Sequence, residues 1–113
     1  MNRLNRVEES IVKTFIHLII TDYRKAIQKI ILFGSRARGV ARPGSDYDLL
    51  IITNEKDPVI KEKLYGEAYE FFLSSLADIS LKITSESDWK TMKHRNSHFY
   101  KIIKKEGITL WTQ

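Results

Sequence analysis

The chain has 113 residues, 19 Lys/Arg against 14 Asp/Glu, and no cysteine. That length supports one modest core, and a cysteine-free composition excludes a disulfide framework and thiolate metal sites while fitting a reducing compartment. The densest apolar stretch, residues 15–20, is interrupted by His17 and is far shorter than the roughly 20 residues that span a bilayer. The first ten residues lack the apolar centre of a signal peptide. The expectation is a single cytoplasmic domain over residues 1–113, with no membrane partner.

In chain order, Leu4, Val7, Ile11, Phe15, Leu18 and Ile19 recur at helical spacing. Asn5 with Glu8 three residues later has the pattern of a capping box, so the first helix is predicted to start there and run to about Lys25. "KIILF" at 29–33 reads as a strand ended by Gly34. Residues 35–42 read as a short helix or a turn, and "RPGS" at 42–45 as a turn. "DYDLLIIT" at 46–53 is a second strand. Asp57-Pro58 is an N-cap followed by a first-turn proline. The helix after it is predicted to bury Val59, Leu64, Ala68, Phe71, Phe72 and Leu76. "DISLKIT" at 78–84 alternates, with Ile79, Leu81 and Ile83 on one face and Asp78, Ser80 and Lys82 on the other. Two short helices, 85–93 and 97–106, follow, with Gly107 as a stop and "ITLW" at 108–111 as a short last strand. This order predicts an α/β (α+β) domain: a small mixed sheet with helices packed mainly on one face.

Charge is unevenly spread. Residues 1–54 carry nine Lys/Arg and five Asp/Glu, residues 55–88 four and eight, and residues 89–113 six and one. The basic tail suits an acidic partner, a nucleotide or RNA, but a solvated helix face is the simpler reading of such a cluster, and RNA is not favoured.

The chemistry concentrates in "ILFGSRARGVARPGSDYDLLIIT", residues 31–53. Asp46 and Asp48 sit two apart on a strand, so their carboxylates share a face, about 7 Å apart along it. Two such carboxylates can share Mg²⁺ with a triphosphate, because Mg²⁺ takes oxygen ligands from one or two carboxylates plus substrate phosphates. Gly34-Ser35, following a strand, offers unpaired backbone N–H groups and a hydroxyl to phosphate oxygens. Arg36, Arg38 and Arg42 are close enough in sequence to neutralise phosphate charge. Tyr47, between the aspartates, is expected to face the opposite way, into the helix layer.

Gly34-Ser35, ten residues, then Asp46-Tyr47-Asp48 resembles the signature of the nucleotidyltransferase superfamily related to DNA polymerase beta. "FGSRARGVARPGSDYDLLI" is similar in particular to the minimal nucleotidyltransferase (MNT) group, as is the ending "FYKIIKKEGITLW". The resemblance implies the nucleotidyltransferase fold, Mg²⁺, and ATP or another nucleoside triphosphate. It implies transfer of a nucleoside monophosphate to a hydroxyl with release of pyrophosphate. Gly34 and Ser35 would hold the triphosphate and Asp46 and Asp48 the metals. It also implies a partner, since members of the minimal group pair with HEPN proteins in toxin–antitoxin systems and some add AMP to the toxin. The family uses a third carboxylate on the strand after the second long helix. Face alternation nominates Asp78 as this acid; an alignment anchored on the downstream "SESDW" places it at Ser80 instead. The competing expectation is a catalytically weak nucleotide-binding subunit that neutralises a HEPN-type partner by binding. Self-association is left open by the sequence.

Overall fold

The structure, a computed structural model, describes residues 4–113. Helix α1 (Arg6–Tyr23) starts as the sequence dictates. The Asn5 side chain accepts from the Glu8 N–H at 2.8 Å, and the Glu8 carboxylate accepts from the Asn5 N–H at 2.9 Å. The helix buries Val12, Phe15, Ile16 and Ile19, while Val7 and Leu18 are exposed. Of the predicted stripe, Leu4, Phe15 and Ile19 are buried and Ile11 packs against the core, while Val12 and Ile16 take the places expected of Val7 and Leu18. A single 3-10 turn, Arg24–Ala26, ends the segment two residues before the predicted stop at Lys25 and leads into β1 (Ile27–Phe33).

Helix α2 (Gly34–Arg38) is one short turn. Strand β2 (Tyr47–Thr53), helix α3 (Pro58–Ser75) and strand β3 (Ile79–Ser85) follow. The Asp57 carboxylate caps α3, accepting from Val59 and Ile60 at 3.0 and 3.2 Å. Helices α4 (Glu86–His94) and α5 (His98–Glu106) are capped by Ser85 and Ser97, and β4 (Ile108–Thr112) closes the chain. The sheet order is β3-β2-β1-β4, with β2 and β3 parallel and the other two pairings antiparallel.

Strands β1 and β2 are almost continuously apolar because both of their faces are covered. Ile30, Leu32, Leu49 and Ile51 point into the larger core under α1 and α3, with Phe15 packed edge-on against Phe71 at 5.4 Å. Ile31, Leu50 and Ile52 point the other way, under Ile103 of α5 with Phe33, Trp89 and Phe99. The bulk of the core thus lies on one face, as expected, and the two short helices cover part of the other.

Helix α3 departs from its predicted stripe. Leu64, Ala68 and Phe71 are buried, but Val59, Phe72 and Leu76 are exposed. Only one hundred-degree sector of α3 faces the sheet, and Leu64, Ala68 and Phe71 fill it at i, i+4, i+7.

Candidate active site

The pairing of β1 with β2 puts Phe33 opposite Asp48, so the chain leaves β1 at Gly34 directly beside the Asp48 side chain. Gly34 has φ +78°, and a Cβ there would overlap Asp48 Oδ2 and stand 2.9 Å from its Cγ. Only glycine satisfies both the backbone conformation and this approach. The Gly-Ser step and the Asp-x-Asp step, eleven positions apart in sequence from Ser35 to Asp46, are brought into contact by this register.

Strand alternation turns Tyr47 into the larger core and leaves Asp46 and Asp48 on the opposite face. The loop back from α2 to β2 is held by Arg36. Its guanidinium donates to the Ser45 carbonyl through Nε (3.1 Å) and Nη2 (2.6 Å), pairs with Glu8 at 2.5 Å, and lies 4.0 Å above the Tyr47 ring. With its side chain only 10% exposed, Arg36 is a clamp between the start of α1 and the residue that precedes Asp46. The Arg36 guanidinium, expected from the sequence to meet phosphate, thus makes three hydrogen bonds to protein groups. Arg38 is half-exposed, bridges to Glu106 of α5 at 2.7 Å, and only partly offsets the rise that burial and Asp46 impose on the Asp48 pKa. Arg42 is exposed on the return loop, where its N–H donates to Ser45 Oγ at 3.0 Å.

Asp78 enters from the other side. The Tyr47 N–H donates to the Asp78 carbonyl at 2.8 Å, and the parallel register sets Ile79 beside Tyr47 and Ser80 beside Asp48. Burial, then the charge and closeness of the Asp46 carboxylate, push the Asp78 pKa above the ordinary carboxylate range. Burial followed by the Asp46 charge likewise raises Asp48, with Glu106 and Asp78 adding to the effect. Three carboxylates therefore crowd one rim of the sheet, Asp78 among them, and Ser80 shares their face one step further along β3.

The donor set is all oxygen and carries unrelieved like charge, which suits a hard cation such as Mg²⁺. Among the described residues no three His, Cys, Asp or Glu side chains close around one point by themselves. An ion held here would complete its shell with oxygens from a ligand, as Mg²⁺ does on a nucleotide. A cavity of about 640 Å³ between the end of α1 and Ile60 lies at the far end of β1 and contains none of these acids. The three aspartates lie away from it, at the opposite rim of the sheet.

Glu8 and Glu106 are the residues that sequence reasoning missed. Glu8 was legible as a cap, but its second oxygen reaches Arg36, 28 positions away, and Glu106 meets Arg38 across 68 positions. Neither contact has a local signal.

The Methanocaldococcus jannaschii protein named "Putative protein adenylyltransferase MJ0604" is 49% identical over 45 residues, which are 40% of this chain and 45% of that protein. The chain thus matches less than half the length of this curated relative. Three solved structures share the fold. A "putative nucleotidyltransferase" from Sulfolobus solfataricus aligns over 92% of this chain and 79% of its own at 18% identity, with a TM-score of 0.59. A toxin–antitoxin structure with AMP-PNP aligns over 89% and 73% at 19% identity, also with a TM-score of 0.59. The tri-AMPylated Shewanella oneidensis HEPN toxin in complex with its MNT antitoxin gives 93%, 72%, 18% and a TM-score of 0.54. The family model described as polymerase beta, nucleotidyltransferase matches residues 15–113, from the middle of α1 through β4. The span of that match includes every element that builds the carboxylate rim, and the chain belongs to the polymerase beta nucleotidyltransferase family.

Proposed function

We propose that this chain is a Mg²⁺-dependent nucleotidyltransferase that transfers AMP from ATP to a hydroxyl of a partner protein, and that the partner is a HEPN-type toxin. The observation that carries the reading is the meeting of Gly34, Asp46, Asp48 and Asp78 at one rim, in a chain whose family is that of nucleotidyltransferases. The AMP-PNP complex and the AMPylated HEPN toxin among its structural relatives support the choice of nucleotide and acceptor.

Asp46 and Asp48 would hold the metal, which when bound would supply positive charge to the α-phosphate and to the leaving pyrophosphate. Gly34 keeps the backbone close to the Asp48 carboxylate, and Ser35 beside it meets the triphosphate. Arg38, half-exposed at the rim, contributes positive charge to the same phosphates. Asp78, whose pKa lies above the ordinary range, takes the proton of the acceptor hydroxyl. The acceptor oxygen then bonds to the α-phosphorus, the bond from that phosphorus to the bridging oxygen of the β-phosphate breaks, and pyrophosphate leaves. The proton passes from Asp78 to water.

One observation favours a second reading. The residue in register with Asp48 on β3 is Ser80, a hydroxyl rather than a carboxylate. If the third acid is needed at that position, the chain binds Mg-nucleotide and neutralises its partner by occupancy. Mass spectrometry of a HEPN-type partner from the same genome, after incubation with the chain, ATP and Mg²⁺, separates the two. AMP on the partner, absent with Asp48→Asn, supports transfer; an unmodified but neutralised partner supports occupancy.

A further inference from the structure

One side of α3 is left bare by the rest of the described chain. Tyr65, Tyr69, Phe72, Leu73 and Leu76 line up along it, with Tyr69 62% and Leu76 80% exposed. They border the buried line of Leu64, Ala68 and Phe71 and form a continuous apolar strip of the kind that marks an interaction surface.

Two residues on this strip run against the helix's own stability. Gly66 sits in the helix interior, where alanine is the better residue, and a Cβ there would meet nothing within 4 Å. Leu76 closes the helix in the left-handed conformation, φ 62°, where glycine is favoured, and still points its side chain into solvent. Nothing in the packing of the described residues calls for glycine at the first position or leucine at the second. A protein seated on the strip accounts for both: it approaches the backbone closely at Gly66 and covers Leu76.

The strip leads to the carboxylate rim. A cavity of about 360 Å³ is lined by Tyr65, Ala68, Tyr69 and Phe72 together with Asp78 and Ile79. Whatever rests on α3 can therefore place one side chain against Asp78. On α3 itself Glu62, Glu67 and Glu70, with Asp78 beside the strip, outnumber Lys61 and Lys63, so the complement of this face is an apolar surface with a basic border. Two copies of this chain meeting strip to strip would bring like-charged segments together.

We infer that this face of α3 is the dock for the acceptor protein, which lays an apolar, basic-bordered surface along Tyr65–Leu76 and inserts its hydroxyl-bearing side chain beside Asp78. The inference rests on the transfer reading above and adds where the acceptor sits.

The test measures binding of the HEPN-type protein from the same genome by calorimetry, alongside Mg·AMP-PNP binding and thermal unfolding. Gly66→Leu and Leu76→Gly are expected to keep or raise the melting temperature and leave nucleotide binding unchanged. Each is expected to weaken docking by about tenfold or more. Asp48→Asn is expected to dock like wild type. Wild-type docking by both α3 variants, or no docking by wild type, overturns the inference. So does sedimentation showing the strip buried between two copies of this chain. Loss of docking in the α3 variants with no AMP transfer by any protein upholds the dock and overturns the transfer reading instead.

Discussion

Gly34 lies so close to the Asp48 carboxylate that no β-carbon fits between them. The glycine is thus a spacer for the carboxylate proposed to hold the metal as well as a turn residue. Gly34→Ala must leave φ +78° or displace Asp48. A non-glycine residue in this region costs about 1–2 kcal/mol before any clash is counted, which in a domain of this size lowers the melting temperature by about 4–8 °C per kcal/mol. Thermal unfolding checks the first effect. Titration with Mg·AMP-PNP checks the second, where binding is expected to be lost.

Arg36 ties the return loop to the start of α1 through Ser45, Glu8 and Tyr47. Arg36→Ala leaves Glu8 and the Ser45 carbonyl without their donor and uncovers Tyr47. The expected loss is about 3 kcal/mol, at the low end of the range for breaking a largely buried ion pair. Arg36→Lys should restore little of it, because a lysine cannot donate twice to Ser45 while stacking on a ring. A Lys variant with wild-type stability in urea would refute the clamp.

Like charge at the rim predicts a trade between stability and function. Asp48 and Asp78 have raised pKa values, so the folded chain holds their protons more tightly than the unfolded chain does. Metal-free stability should therefore fall as pH rises from the ordinary carboxylate range through their raised values. Asp48→Asn should flatten that slope and raise the metal-free melting temperature at neutral pH. After allowance for solvent screening the gain is about 0.5 kcal/mol, or about 2–4 °C. Saturating Mg·AMP-PNP should stabilise wild type and leave Asp48→Asn unmoved. Melting curves across pH, with and without the ligand, read all three effects.

Much of this was legible in the sequence, for physical reasons that differ by residue. Asn5 and Glu8 act on each other within one turn, so their pattern alone defines the start of α1. Asp46 and Asp48 share a face by strand alternation, and Tyr47 must point away from them. The role of Arg36 was not legible, because it depends on Glu8 and Tyr47 meeting it in space. Nor was the orientation of α3. Its apolar residues fill two adjacent sectors, one for the sheet and one bare, and periodicity cannot say which of them is covered. β4 was readable as a short last strand, but its place beside β1 was not, since that pairing partner lies some eighty residues earlier.

The central claim is that Asp46, Asp48 and Asp78 form one catalytic rim, and the rate of AMP transfer from α-labelled ATP to the HEPN-type partner tests it most directly. With Mg²⁺ present, wild type and Ser80→Ala are predicted to label the partner at similar rates. Asp78→Asn should fall by about 10²-fold or more while still binding Mg·AMP-PNP, the scale expected for losing a proton acceptor. Equal labelling by wild type and Asp78→Asn, or none by wild type, would contradict the account.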